Sequence, residues 1–87
     1  METVIKRNNQ VLVPDVKKRL ADINLKISWS EIVRDYFYGK SMSWFYHKLD
    51  GIDGNGGKGG FTQEELEILK GGLVELSNKI RAAADRL

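Results

Sequence analysis

The sequence predicts an all-α fold, a small helical bundle with a helix–turn–helix-like pair, a Gly-rich loop and a long C-terminal helix. Three observations predict it. Apolar residues recur at helical spacing in four stretches. Start signals of the S-x-x-E and T-x-x-E kind precede two of them, Ser28 to Glu31 and Thr62 to Glu65. Finally, 87 residues suffice for one modest core but not two.

The first thirteen residues carry no defined element and read as a disordered lead-in to a single helical domain over 14–87. Pro14 punctuates the chain. Asp15 then caps a predicted helix over 15–24, with Val16, Leu20 and Ile23 on its apolar face. The second predicted helix, 29–38, starts at the Ser28–Glu31 capping box, with Ile27 and Ile32 placed as a hydrophobic staple. Ile32, Val33, Tyr36 and Phe37 form its apolar face, and Gly39 ends it.

Ser41 caps a third predicted helix over 42–50. Met42, Phe45 and Leu49 fall together on it, while Ser43 and His47 point away and Trp44 and Lys48 flank them. Gly51 closes it. Six of the ten residues 51–60 are Gly, so that segment reads as a pliant connector or hinge. The last predicted helix spans 63–86. Phe61 and Leu66 staple its start, and Glu64, Glu65 and Glu67 complement its dipole. Leu66, Leu69, Leu73, Leu76, Ile80, Ala83 and Leu87 repeat with strict 3-4 spacing. Gly71 and Gly72 interrupt that helix, which marks either a close helix approach or a kink.

Composition narrows the function classes. The chain has no cysteine, which excludes disulfides and thiolate zinc sites and fits a reducing cytoplasm. No apolar run approaches the roughly 20 residues that span a bilayer, so no membrane partner is expected. Residues 1–48 carry nine Lys/Arg against five acids, and residues 49–87 carry five against seven. A basic first half can seek phosphate.

The stretch Asp53–Glu64, "DGNGGKGGFTQE", imitates a calcium loop. Such a loop needs oxygen ligands at positions one, three and five, Gly at six and a bidentate Glu at twelve. Asp53, Asn55 and Glu64 fit, but Gly57 offers no oxygen and Lys58 puts a cation at the sixth position. No metal is expected. A P-loop fails as well, because Lys58 is followed by Gly59 and no strand precedes it. The single histidine, His47, has only Asp50 as a helical acid neighbour, too little for a dyad. Neither an enzyme, nor a cofactor, nor a small-molecule substrate is expected.

Two short capped helices across a Gly-containing turn predict a helix–turn–helix-like pair, with 28–38 supporting and 41–50 entering the major groove of double-stranded DNA. The contact residues would be Arg34, Lys40, Ser41, Ser43, Trp44, His47 and Lys48, with Lys17, Lys18 and Lys58 adding nonspecific attraction. The heptad face, Leu66, Leu69, Leu73, Leu76 and Ile80, would serve a homodimer. The competing expectation is a protein-interaction adaptor whose C-terminal helix binds another protein while the third helix is only core.

The stretches "YFYGKSMSWFYHKLDG" and "FTQEEL" resemble a family of small uncharacterised gut Bacteroidetes proteins. That family reads roughly Y-F-G-K-S-x-S-W-[LF]-Y, then an Asn-Gly-Lys loop, then F-T-x-E-E-L. The likeness covers about 22–82 and is strongest at 36–51 and 61–66. It implies an all-α domain akin to phage-repressor-like helix–turn–helix proteins and a phage or mobile-element origin. It implies no catalytic activity. The turn "YFYGKS" is one residue longer than the family's "YFGKS", Val33 stands where a small residue is usual, and Gly71–Gly72 replace bulkier residues.

Overall fold

The computed structural model describes residues 12–53 and 57–87. Of the lead-in over 1–13, residues 1–11 lie outside the described residues, while Leu12 bridges Thr62 and the Val13 amide donates to the Phe61 carbonyl at 2.9 Å, so its last two residues are ordered against the start of the last helix. Four helices follow in order: α1 Val16–Arg19, α2 Trp29–Tyr36, α3 Met42–Asp50 and α4 Gln63–Asp85. The fold is all-α, as the periodicity predicts, with only isolated bridges, Leu12 to Thr62 and Ile52 to Lys58, among the described residues.

The core is aromatic. Trp29, Phe37, Phe45 and Phe61 are buried, and Phe45 and Phe61 are completely so. Phe45 lies 5.2 Å from Trp29 and 5.5 Å from Phe61 between ring centroids. Tilted and edge-on pairs of this kind add about 0.5–1.5 kcal/mol each beyond area burial. Val16, Ile32, Val33, Leu49 and Leu69 complete the cluster. Each predicted apolar face of α2, α3 and the first half of α4 points into it.

The start and stop signals divide into those that form and those that do not. Thr62 Oγ1 accepts from the Glu65 amide at 3.2 Å, and the Glu65 carboxylate accepts from the Thr62 amide at 2.9 Å, a complete capping box. Ser41 Oγ accepts from the Trp44 amide at 3.0 Å. Gly51 ends α3 with φ 80°. The Ser28–Glu31 box does not form. Ser28 Oγ instead lies 3.2 Å from the Ser30 hydroxyl, and Glu31 turns to Arg34, 3.8 Å away. Local hydroxyl and charge partners outcompete the cap there.

Asp15 makes no side-chain cap either, because its backbone is left-handed, φ 60°. The predicted 15–24 helix is cut to one turn. Past Arg19 the hydrogen bonds tighten to i→i+3, as in Ala21 to Lys18 and Ile23 to Leu20. The Trp29 indole draws Asn24 out of any helix by donating to its Oδ1 at 2.8 Å and its carbonyl at 3.1 Å. Likewise α2 stops at Tyr36 rather than residue 38. Phe37 leaves helical geometry with φ −122° and ψ 61° and is buried.

The glycine pair in α4 resolves into two different roles. A Cβ on Gly72 would meet the Tyr36 ring at 2.9 Å, whereas one on Gly71 would meet nothing within 4 Å. Gly72 is therefore the point of close approach between α2 and α4. Gly71 faces open space.

Candidate functional site

The turn between α2 and α3 runs from Phe37 to Ser41, with the Lys40 amide donating to the Phe37 carbonyl at 3.0 Å. Phe45 and Leu49 fix the inner face of α3 in the core. Its outer side carries Ser43 and Tyr46, both exposed, with His47 half-buried beside them. Lys40 and Ser41 are exposed at its capped end. The predicted contact residues from Lys40 to Lys48 thus gather along one short helix.

Trp44, Lys40, Lys48 and Arg34 are not bare. Trp44 is half-buried against Phe37, 5.2 Å between centroids, and edge-on to Phe61. The ammonium groups of Lys40 and Lys48 lie 5.4 and 5.5 Å from its ring centre, within cation–π range. Lys48 also donates to Glu65 Oε1 at 3.0 Å, and its side chain is only 22% exposed. Arg34 is exposed but matched by Asp35 at 3.1 Å and Glu31 at 3.8 Å. The Asp35 hydrogen bond and charge push its guanidinium still further above the usual arginine range. Arg34 therefore stands in a patch of its own with two acids.

The glycine segment is more constructed than a pliant connector. The Asp53 amide donates to the Gly57 carbonyl at 2.9 Å, the Gly57 amide to Asp53 Oδ1 at 2.8 Å, and the Gly59 amide to the Gly51 carbonyl at 3.0 Å. A Cβ on Gly59 would sit 2.4 Å from the Ile52 carbonyl, so only glycine lets the two arms close. The described parts of this segment, 51–53 and 57–59, pair as the base of a small hairpin. Ile52 fastens it to α3 through the His47 carbonyl at 3.0 Å. Of the calcium-like set, Asp53 is engaged in this turn, Glu64 is exposed on α4 and Asn55 lies outside the described residues. No cluster of metal-ligating side chains occurs among the described residues.

The heptad face is split. Leu69 is buried, and Leu66 and Leu73 pack half-buried on the core. Leu76 is half-buried, Ile80 is 60% exposed, and Ala83 and Leu87 are exposed. A groove of about 500 Å³ lined by Leu20, Leu66, Leu73 and Val74 runs between α1 and α4. A smaller one of about 270 Å³, lined by Ile27, Tyr36, Leu76 and Ile80, separates α2 from α4.

Two functional-looking pairs escape sequence reasoning, Lys48–Glu65 and Lys17–Asp50, the latter at 3.0 Å between α1 and the end of α3. Each joins residues far apart in the chain, and no spacing rule connects them.

These features define a class: a small all-α domain in which a short helix pair rests on the first half of a long C-terminal helix. The chain belongs to the family described as Domain of unknown function (DUF5053), which matches residues 16–87. No curated protein and no solved structure matches it. Among the described residues no helix is long and apolar enough to cross a membrane.

Proposed function

We propose that the α2–turn–α3 unit binds double-stranded DNA, acting by occupancy rather than by catalysis. The observation that carries this reading is the mounting of α3. Its inner face is locked in the core by Phe45 and Leu49, while its capped end presents Lys40, Ser41, Ser43 and Tyr46 to solvent. Recognition helices read base edges from their N-terminal residues, and helix N-termini favour phosphate. Within this reading Lys40 and Ser41 contact phosphate, Ser43 and His47 face base edges, and Trp44 is the platform that holds Lys40. Lys48 and Arg34 contribute less, because their charges already have partners. The resemblance over 36–51 to a family of uncharacterised gut Bacteroidetes proteins, itself similar to phage-repressor-like proteins, supports the same assignment and a phage or mobile-element origin.

The test is fluorescence anisotropy with a random duplex at about 50 and about 200 mM salt. Micromolar binding that weakens steeply with salt is expected, and Lys40→Ala with Ser43→Ala should lower it at both concentrations. Absence of salt-dependent binding by the wild type in the micromolar range would end this reading.

A second reading rests on the outer half of α4, where Ile80 and Leu87 continue the 3-4 stripe beyond the core. There α4 acts as an adaptor arm for a helix of another protein or of a second copy. Sedimentation should then reveal a dimer that Ile80→Glu converts to a monomer. A monomer at all concentrations removes the second copy as occupant.

A further inference from the structure

A cleft of about 1060 Å³ lies between α1, the end of α3 and the hairpin base. Three separate stretches bring cations to its wall: Lys17 and Lys18 from α1, Lys48 from α3 and Lys58 from the hairpin. The carboxylates on the same wall are Asp15 and Asp50. Lys17 holds Asp50 at 3.0 Å, and Glu65 holds Lys48 at 3.0 Å. Lys18 and Lys58 are exposed and make no ion pair among the described residues.

Dimensions relate this cleft to α3. Nine residues of helix measure about 13 Å, close to the roughly 12 Å width of the major groove. A helix of that length laid across the groove reaches both phosphate ridges. Lys40 and Ser41 then stand at one ridge, and Asp50 and Gly51 at the other. Asp15 and Asp50 would repel the second ridge, but Lys17 neutralises Asp50 and Lys18 and Lys58 together outweigh Asp15.

We propose that this cleft is a second phosphate-contact site, in which Lys18 and Lys58 bind the sugar–phosphate backbone on the far side of the groove from Lys40. The proposal rests on the duplex-binding reading above. It adds a ridge, two residues and a role for the hairpin, whose closed base holds Lys58 beside the end of α3.

The experiment measures duplex affinity across a salt series for the wild type, Lys18→Gln with Lys58→Gln, and Lys26→Gln with Lys79→Gln. The last pair removes the same charge from a groove that shares none of the cleft's residues. Each phosphate contact contributes about −0.9 to the slope of log K against log salt. The cleft variant should therefore lose about two units of slope, with an unchanged melting curve, while Lys18→Arg with Lys58→Arg keeps the wild-type slope. If the wild type binds with a salt slope that the cleft variant retains, or if the control pair loses as much, the cleft is not a phosphate site, although duplex binding stands. If the wild type shows no salt-dependent binding, both proposals fall together.

Discussion

The two halves of α4 carry one repeat and meet two fates. From Leu66 to Leu73 the stripe packs on the aromatic core, with Leu69 only 2% exposed. From Leu76 onward the stripe loses its cover: Leu76 is half-buried, Ile80 is 60% exposed, and Ala83 and Leu87 are exposed. Helical periodicity specifies a face, and a face says nothing of what covers it. Cover comes from length. The helix pair before α4 is short, and a 23-residue helix, about 34 Å long, outruns it.

The sharpest way to break this comparison is a pair of truncations. Phe45→Ala, at a fully buried site, should cost about 3–5 kcal/mol, a large share of the roughly 5–15 kcal/mol that holds a domain together. Ile80→Ala should change stability by less than about 0.5 kcal/mol in the monomer. Urea unfolding followed by circular dichroism gives both values. Equal losses would mean that the outer half is packed after all.

The boundary between the halves can be sharpened at the glycine pair. Gly72→Ala pushes a methyl against the Tyr36 ring and should destabilise by about 1–3 kcal/mol. Gly71→Ala has open space and should stabilise by up to about 1 kcal/mol through helix propensity. Opposite signs at adjacent residues, read as shifts in urea midpoint, would locate the α2–α4 contact at Gly72.

The smallest effect concerns the start of α4 against the start of α2. Thr62→Ala removes a formed cap and should cost about 1 kcal/mol. Ser28→Ala removes a hydroxyl that caps nothing and should fall within about 0.5 kcal/mol of wild type. Thermal melts of the two variants side by side would expose any error in that ordering.

These contrasts also show which parts of the molecule were legible in its letters. The third and fourth helices were, because Ser41, Gly51 and the Thr62–Glu65 box act over three or four residues. At the glycine pair the letters leave a close approach and a kink both open, and only the Tyr36 ring beside Gly72 decides for the approach. Trp29 was missed as a core anchor because it opens a helix rather than repeating along one. The Ser28 box failed because Ser30 and Arg34 offer partners that a four-residue pattern ignores. For the candidate site, grouping Lys40 through Lys48 on one helix was legible. The engagement of Lys48 by Glu65 and the convergence of Lys18 with Lys58 were not, since tertiary packing alone creates them.

The length of α4 has a dynamic consequence as well. An isolated helix of a dozen residues is marginal in water, because its first turn is costly to nucleate. The outer half of α4 escapes that cost only by continuing a turn already fixed at Thr62 and Glu65. Its helicity is inherited rather than intrinsic. Amide hydrogen exchange should therefore accelerate residue by residue from Leu73 toward Leu87, as a helix that frays from one end does. Any partner that grips the arm would be read as slowed exchange there, with the protected core of the first half serving as the internal reference.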